Sequence, residues 1–280
     1  MKHCEGHMTP TRHSSPSTQR VRHDTRMRLL TVRRVTRLTD HLVRVTLGGD
    51  ALAGFVSAAA DDHVKLFFPA TGATAPVLPA GPPGTPAPAG APVPIARDYT
   101  PRRYDATRNE LDIDFVLHGP GAASEWAAAA RPGQQLGVGG PRGSFVVSGH
   151  FDWHLLIGDE AAIPAIARRL EELPADAQVE ALIEVAGAGD ELPLRAPAAT
   201  HLRWLHRGAA EPGAPALLLE ALRATELPPG LGYAWLACES SCARRLRQHL
   251  IDERGLDREW VKAAGYWKRG AVASHERLDD

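Results

Sequence analysis

The stretch LLIGDEAAIPA, residues 155–165, decides the fold of the C-terminal half of this 280-residue chain. Residues 155–157 (LLI) form a short, wholly apolar run, which is typical of a strand buried on both faces. Apolar residues then recur at spacings of three and four, at Ile163, Ile166, Leu170 and Leu173. Because that spacing predicts an amphipathic helix, the stretch reads as a strand, a turn and a helix.

The same alternation continues downstream. Strands are predicted over residues 179–185, 202–205 and 233–238, and a helix around residues 242–250 follows the last of them directly. Strands that alternate with helices pair in parallel, since each helix carries the chain back across the sheet. We therefore expect a C-terminal α/β domain with a parallel sheet over residues 149–280, ending in a C-terminal tail.

Upstream of residue 149 the pattern is that of antiparallel strands. Residues 42–47 (LVRVTL) and 111–117 (LDIDFVL) alternate apolar and polar side chains, and residues 64–68 (VKLFF) predict another strand. A single Ala-rich helix is predicted over residues 121–130. Several strands with one inserted helix indicate an N-terminal antiparallel β-barrel domain over residues 26–148.

Two segments lack this regular pattern. Pro, Ala and Gly fill 20 of the 27 positions in residues 70–96, a composition that breaks ladder pairing, so we expect a surface excursion within the barrel domain. Residues 1–25 are rich in His, Arg, Ser and Thr without apolar periodicity, and we expect a disordered basic tail there.

Composition limits the function classes. Hydrophobic residues make up 44% and charged residues 23%, and no apolar run has membrane-spanning length. Residues 1–50 hold ten Lys and Arg against four Asp and Glu, but no aromatics are interleaved with the basic residues, so nucleic acid is not the expected partner. The N-terminus has no apolar secretory stretch, and we expect a cytoplasmic monomer.

The three cysteines, Cys4, Cys238 and Cys242, are too few for a disulfide framework or a four-Cys cluster. The spacing of Cys238 and Cys242 is compatible with half of a metal site, but no second pair completes it. We expect reduced thiols and no bound structural metal.

Four short motifs carry a family resemblance. Residues 97–102 (RDYTPR) are similar to the R-x-Y-T flavin motif of the ferredoxin-reductase superfamily. Residues 112–119 (DIDFVLHG), 139–145 (GGPRGSF) and 265–270 (GYWKRG) narrow the match. In this order, the four resemble the siderophore-interacting protein family, the cytoplasmic ferric-siderophore reductases, over about residues 26–271.

The resemblance implies that the barrel binds FAD. Tyr99 would stack on the isoalloxazine ring for roughly 1 kcal/mol, Thr100 would bond near its reactive edge, and the fork of Arg97 suits the pyrophosphate. The alternatives are that Tyr99 and Arg97 pack against a strand end and that His118, expected on one strand face with Asp114, is a core histidine. The FAD residues implied are Arg97, Tyr99, Thr100, Arg102, Asp114, Val116, His118, Gly121, Ala123, Ser124 and Trp126.

The resemblance also implies that the α/β domain binds NADPH or NADH through the turn at residues 158–164, although no G-x-G-x-x-G is present. Ala161 stands where the family usually has Thr, and Cys238 replaces a usual Gly, where it either narrows the nicotinamide approach or packs. Arg203, His206 and Arg207 would meet a 2′-phosphate or form a solvated strand end. The nucleotide residues implied are Gly158, Asp159, Glu160, Ala161, Pro164, Arg207 and Glu239.

The implied substrate is a ferric siderophore, whose negative charge a basic pocket would attract. The substrate residues implied are Lys65, Arg245, Lys262, Lys268 and Trp267. The alternatives are plain surface charges for the cations and a C-terminal anchor for Tyr266 and Trp267. Flavin chemistry needs no catalytic acid or base, and iron is substrate. Two rival functions share these motifs: a flavin reductase that serves a partner oxygenase, and a ferric-siderophore-binding flavoprotein without turnover.

Overall fold

The computed structural model describes residues 14–70, 72–79, 93–271 and 276–278. The fold is an N-terminal antiparallel half-barrel followed by a C-terminal parallel α/β sheet, as predicted. Two parts of the sequence interpretation fall outside the described residues: the first thirteen residues of the tail, and residues 71 and 80–92 of the excursion.

The N-terminal part of the chain consists of nine strands and one helix, all within the described residues. In chain order they are β1 Ser17–Arg22, β2 Met27–Arg37, β3 Leu42–Gly48, β4 Val64–Phe68, β5 Ile95–Tyr99, β6 Arg103–Asp105, β7 Glu110–Val116, α1 Ala122–Ala128, β8 Gln135–Gly139 and β9 Gly143–Ser148. Seven strands form one sheet in the order β5-β4-β8-β2-β3-β7-β6, with every neighbouring pair antiparallel.

The predicted alternation places the barrel core. Val45 on β3 pairs with Ile113 on β7, and both side chains are fully buried. Phe68 and Phe115 pack edge-on in the same core, with ring centroids 6.4 Å apart. Because α1 buries Ala123 and Ala127 against this core, the inserted helix closes one end of the half-barrel.

The prediction of a disordered tail is wrong for β1. This strand pairs with β9 along its length, from Ser17 opposite Ser148 to Arg22 opposite Gly143. Five of its six residues are exposed, so backbone hydrogen bonds to a distant strand hold it instead of an apolar face. The guanidinium of Arg20 also lies over the Phe145 ring, 5.9 Å from its centroid. A search for local apolar periodicity misses a strand of this kind.

The Pro/Ala-rich segment connects two neighbouring strands. Phe68 at the end of β4 pairs with Ile95 at the start of β5. The prediction extended the excursion to residue 96, whereas β5 begins at Ile95. The described part of the segment therefore leaves and re-enters the same sheet.

The C-terminal part of the chain alternates strands and helices. In chain order they are β10 Trp153–Gly158, α2 Ile163–Glu172, β11 Gln178–Val185, β12 Ala199–His206, α3 Pro215–Arg223, β13 Gly232–Glu239, α4 Ser240–Gln248, β14 Val261–Trp267 and β15 Glu276–Arg277. The sheet order is β12-β11-β10-β13-β14-β15, and only the short β15 is antiparallel. Helix α2 packs on one face of the sheet, and α3 and α4 pack on the other.

The strand order reverses at β10, which lies between β11 and β13. At such a reversal the connections leave the sheet in opposite directions, and a crevice opens beyond the carboxyl ends of the strands. The turn at residues 158–162, singled out from the sequence, lies at this point.

Candidate functional site

The turn after β10 is tightly packed against β13. Gly158 lies opposite Ala237 in the parallel ladder. A Cβ atom added at Gly158 would lie 2.4 Å from the Ala162 Cβ and 2.8 Å from the Ala237 carbonyl oxygen. Only glycine fits there, and its small size lets the chain turn close to the strand ends.

Asp159 is a buried carboxylate at this edge, with 3% of its surface exposed. Its Oδ1 accepts a hydrogen bond from the Ala161 amide at 3.0 Å, and its Oδ2 accepts one from Trp267 Nε1 at 2.7 Å. Burial raises the pKa of Asp159 to about 7, although the Trp267 hydrogen bond opposes that shift. The structure thus brings together a predicted nucleotide residue and a predicted substrate residue.

Glu160 and Arg207, both predicted for the nucleotide, form an ion pair at 2.5 Å. The same guanidinium lies 3.6 Å from Glu184 at the end of β11. Burial raises the pKa of Glu184 to about 7, while Arg207 opposes the shift and Glu160 reinforces it. Two buried carboxylates therefore share one guanidinium beside the turn.

The three basic residues considered for a 2′-phosphate do not form one cluster. Arg203 donates to Thr225 Oγ1 at 3.2 Å, and His206 Nε2 lies 2.7 Å from a carboxylate oxygen of Glu191. Among the three, Arg207 alone faces the carboxylates of the turn.

Glu239 ends β13 and caps α4. Its Oε2 accepts hydrogen bonds from the Ser241 and Cys242 amides at 2.7 and 3.1 Å. Burial alone would raise its pKa, but the hydrogen bonds from Ser241 and Cys242 hold the pKa below the usual range. The neighbouring Cys238 is 1% exposed and lies in the core, so the packing interpretation of that residue is confirmed.

The flavin motif lies at the end of β5. The Tyr99 ring packs on Phe115 with ring centroids 4.5 Å apart. Arg97 donates to the neighbouring Ala96 carbonyl at 2.7 Å. Thr100 is buried and lies beside Tyr266 of β14. Residues of the flavin motif and of the C-terminal tail thus meet between the two sheets.

Residues 114–118 depart from the sequence interpretation. Both oxygens of Asp114 accept from Arg44, at 2.6 and 2.8 Å, so this buried carboxylate binds β3 to β7. Asp114 and His118 do not share a strand face, because β7 ends at Val116 and the His118 amide donates to Ser124 Oγ at 3.3 Å. Flavin contacts by Asp114, Val116 and His118 stay predictions.

The short helix α1 follows Gly121, whose φ of +151° lies in a region that side chains disfavour. Ala123 and Ser124 are buried, and Ser124 Oγ already accepts the His118 bond. The Trp126 indole packs on Phe68 with ring centroids 5.6 Å apart. Its N–H is buried without a hydrogen-bond partner among the described residues. Buried donors are rarely left unpaired in proteins.

Arg102 lies in a different environment from the rest of the flavin motif. Its guanidinium is engaged by both oxygens of Glu171 on α2, at 2.6 and 3.1 Å. Beside it, Arg168 of α2 donates to the Pro101 carbonyl at 2.9 Å. The two motif residues that follow Thr100 thus bond to α2, the helix that packs on the parallel sheet.

The structure does not gather the predicted substrate cations into one pocket. Lys65 pairs with Asp98 at 2.7 Å. Lys262 pairs with Asp61 at 2.5 Å and covers the Phe145 ring, on the α2 side of the sheet. Arg245 is exposed on α4, which packs on the opposite face, and Lys268 is exposed after β14. Lys262 and Arg245 therefore lie on opposite faces of the parallel sheet, and siderophore contacts by each of them stay predictions.

Sequence reasoning missed Arg44, Arg168, Glu171 and Glu184. Arg44 lies directly opposite Asp114 in the ladder, so pairing the two predicted strands in register would have found it. Arg168 and Glu171 lie within a helix that was predicted correctly. Their partners are about 70 residues away, and nothing in the local pattern indicates them.

An antiparallel half-barrel that carries the R-x-Y-T motif and is followed by a parallel α/β sheet has the ferredoxin-reductase-like fold. Solved structures of low identity share this fold. One is a cytochrome P450 reductase from Amycolatopsis, 17% identical, with a TM-score of 0.58 over 85% of this chain and 69% of that one.

Two family profiles identify the chain more closely. Residues 31–145 match "Siderophore-interacting FAD-binding domain", and residues 151–270 match "Siderophore-interacting protein". The chain belongs to the siderophore-interacting protein family.

Named relatives are similar over most of their length. The NADPH-dependent ferric-chelate reductase of Escherichia coli K12 is 39% identical over 89% of this chain and 96% of its own. The ferric vibriobactin reductase ViuB of Vibrio cholerae is 36% identical over 87% and 90%. A siderophore utilization protein from T. fusca has a solved structure with a TM-score of 0.85 and 44% identity, over 92% and 98%.

The residues present fit FAD. Tyr99 and Thr100 end a strand at the junction of the two sheets, and Arg97 bonds within its own strand only to a carbonyl, which leaves the rest of its fork for phosphate. The buried Trp126 N–H supplies a donor for which the described residues offer no acceptor. None of the helices that the structure describes has the length and apolar character that a membrane-spanning helix needs.

Proposed function

We propose that this protein is a FAD-dependent NAD(P)H:ferric-siderophore reductase that works in the cytoplasm as a monomer. The observation that carries the proposal is the hydrogen bond from Arg168 to the Pro101 carbonyl at 2.9 Å, which joins the helix after the nucleotide turn to the flavin motif. Relatives at 36–39% identity that are named as ferric-chelate and ferric vibriobactin reductases support the substrate class.

FAD held by these residues would supply the redox chemistry, which is the conversion of a two-electron hydride donor into single electrons for iron. Tyr99 offers a flat partner to the ring, Arg97 binds the pyrophosphate, and Trp126 donates its buried N–H. The remaining residues proposed to contact FAD are Val116, Gly121, Ala123 and Ser124.

On the second sheet, the proposed nucleotide site begins at the Gly158 turn. Gly158 gives close backbone access, and Pro164 starts the helix behind the turn. Glu239, the last residue of the neighbouring strand β13, is proposed to line the other side of this site. Arg207 is the proposed contact for a 2′-phosphate, which would compete with Glu160 and Glu184 for the same guanidinium.

The iron is substrate. Fe(II) binds hard oxygen ligands less tightly than Fe(III), so reduction releases the metal from a siderophore. Lys65, Lys268 and Trp267 stay the proposed contacts of an anionic chelate. Arg245 leaves this set, because α4 packs on the far face of the sheet, whereas Lys262 stays a proposed contact, since its ion pair with Asp61 is matched by that of Lys65 with Asp98.

Anaerobic mixing of the FAD-loaded protein with NADH or NADPH, followed by a panel of ferric chelates, tests the proposal. Bleaching by at least one nucleotide and reoxidation by a ferric siderophore support it. Flavin that stays oxidised with both nucleotides would contradict the proposal and would favour a ferric-siderophore-binding flavoprotein without turnover. Flavin that is bleached by a nucleotide but is not reoxidised by any ferric chelate would favour a flavin reductase that serves a partner oxygenase.

A further inference from the structure

Two arginines connect the flavin motif to the helix that follows the nucleotide turn. Arg168 NH1 donates to the Pro101 carbonyl at 2.9 Å, and Arg102 binds Glu171 through two hydrogen bonds. Pro101 and Arg102 directly follow Thr100, while α2 begins at Ile163, directly after the turn. These bonds therefore join the residues that follow Thr100 to the middle and the C-terminal end of α2, the helix that follows the turn.

We propose that Arg102 and Arg168 are positioning residues, which fix the flavin motif relative to the nicotinamide turn and so set the geometry of hydride transfer. This inference rests on the proposed function. It reassigns Arg102, which the family resemblance implied as an FAD ligand, to a clamp between the two sheets. The clamp is defined as Arg102, Arg168, Glu171 and the Pro101 carbonyl.

The environment of Arg168 suits this role. The residue is 9% exposed, and its donors are directed by three acceptors on different segments. NH1 bonds Ser57 Oγ as well as Pro101, each at 2.9 Å, while Nε and NH2 bond Glu172 on the same helix. A planar fork held at this many points has little rotational freedom, so it transmits the orientation of α2 to the barrel.

The Arg168 network extends to the third sequence motif. Ser57 Oγ donates to Asp62 Oδ2 at 2.9 Å, and Ser144 Oγ donates to the same oxygen at 2.6 Å. Ser144 belongs to the motif at residues 139–145. One guanidinium thus reaches, directly or through Asp62, two of the four motifs that define the family resemblance.

Two other contacts between the sheets lie elsewhere. Lys262 pairs with Asp61, and His41 bonds Asp190 at 2.9 Å. Neither pair includes a residue of the flavin motif or of α2. They hold the two sheets together, whereas the clamp acts on the chain segments that carry the reacting groups.

Hydride transfer requires the reacting atoms about 3–3.5 Å apart, and a displacement of about 1 Å costs roughly a hundredfold in rate. Loss of either clamp bond is thus expected to lower the limiting rate of flavin reduction more than it weakens nucleotide binding. A residue that only stabilises the fold would change neither quantity in the folded protein.

The test compares Arg168→Gln and Arg102→Gln with wild type and Arg223→Gln in the full-length FAD-loaded protein. Arg223 lies on α3, exposed and 3.8 Å from Glu253, and serves as the matched control. Anaerobic stopped-flow gives the limiting rate of reduction and the apparent nucleotide Kd. We expect each clamp variant to lose about tenfold or more in limiting rate, with nucleotide Kd within about twofold. Arg223→Gln should match wild type.

A charge exchange separates positioning from FAD binding at Arg102. Arg102→Glu alone should lose rate, and Arg102→Glu with Glu171→Arg should recover most of it, because the ion pair is rebuilt with opposite polarity. If Arg102 instead holds FAD, the exchange restores nothing and the FAD Kd rises in every Arg102 variant. That result overturns the assignment even if Arg168→Gln does not fold.

The inference and the proposed function fail differently. A wild-type flavin that neither nucleotide reduces removes the proposed function and the clamp with it. A wild-type flavin that is reduced normally, with both clamp variants equally fast, removes the clamp alone.

Discussion

Trp267 Nε1 donates a hydrogen bond to Asp159 Oδ2 at 2.7 Å, which joins the C-terminal tail to the turn after β10. The sequence assigned these residues to different ligands, since Trp267 was grouped with the substrate and Asp159 with the nucleotide. The structure makes them one unit, in which the indole covers a carboxylate that is buried at the end of the parallel sheet. The bond therefore links a proposed substrate residue to the proposed nucleotide turn.

Replacing Trp267 by Phe should destabilise the fold in a pH-dependent way. The variant leaves Oδ2 of Asp159 without its donor, which costs about 1–3 kcal/mol when the carboxylate is charged. The cost should be larger at pH 8 than at pH 5, because the pKa of Asp159 lies near 7 and the group is protonated at the lower pH. Urea unfolding at the two pH values measures the difference.

Trp153→Phe is the control for this experiment. It removes a ring of the same size whose N–H has no hydrogen-bond partner in the part of the chain that the structure describes. Its cost should not change between pH 5 and pH 8. Equal pH dependence in the two variants would show that the Trp267 bond does not act on the Asp159 charge.

Asp159→Asn should flatten the pH dependence of stability. Burial raises the pKa of Asp159 from 3.8 to about 7 in the folded state, so between these values the folded chain holds a proton that the unfolded chain has lost. The unfolding free energy of wild type therefore falls as pH rises from about 4 to about 7. Asn keeps an acceptor for Trp267 and removes about 1.4 kcal/mol per pH unit of that slope.

Chemical unfolding at half-unit steps between pH 4 and pH 7.5 measures the slope, and the exposed Asp252→Asn serves as the control. An Asp159→Asn slope equal to that of wild type would mean that Asp159 does not take up a proton in this range.

Trp126→Phe should weaken FAD binding without a matching loss of apo-protein stability. The indole N–H has no acceptor among the described residues, so its removal breaks no hydrogen bond within that part of the chain. One lost hydrogen bond to the cofactor, worth about 1.4 kcal/mol, raises the FAD Kd about tenfold. Quenching of flavin fluorescence during titration of the apo protein measures Kd. An unchanged Kd would exclude Trp126 from the FAD site.

Gly158→Ala should distort the nucleotide turn. The added methyl group would meet the Ala162 Cβ at 2.4 Å and the Ala237 carbonyl at 2.8 Å, so the turn has to move or the fold loses about 1–3 kcal/mol. Gly187→Ala is the matched control, because a Cβ there meets nothing within 4 Å. Thermal unfolding and nucleotide Kd are the measurements. Equal behaviour of the two variants would contradict the close packing of the turn.

Local pattern was enough wherever neighbours in sequence decide the structure. The unit at residues 155–165 contains its own apolar strand and helix spacing, and β10 and α2 form where expected. The alternation of residues 111–115 likewise predicted β7, because every second side chain enters the core.

Distant partners explain what the sequence did not indicate. Strand β1 has no apolar face and exists through its pairing with β9, more than 120 residues away. The family resemblance implied flavin contacts for Asp114 and Arg102, but the sequence did not indicate that Arg44 lies opposite Asp114 or that Glu171 of α2 binds Arg102. The charges of Asp114 and Arg102 are thus each paired with a side chain that only the folded chain brings near.

The most direct test of the central claim is the number of iron atoms reduced per nucleotide. The FAD-loaded protein is reduced anaerobically with one equivalent of NADPH or NADH, and excess ferric siderophore is added with a chromogenic Fe(II) chelator. A hydride carries two electrons and each Fe(III) takes one, so we predict two Fe(II) per nucleotide consumed, with reoxidation of the flavin. Reduced flavin that persists beside the ferric siderophore, with no Fe(II) formed, would contradict the assignment as a ferric-siderophore reductase.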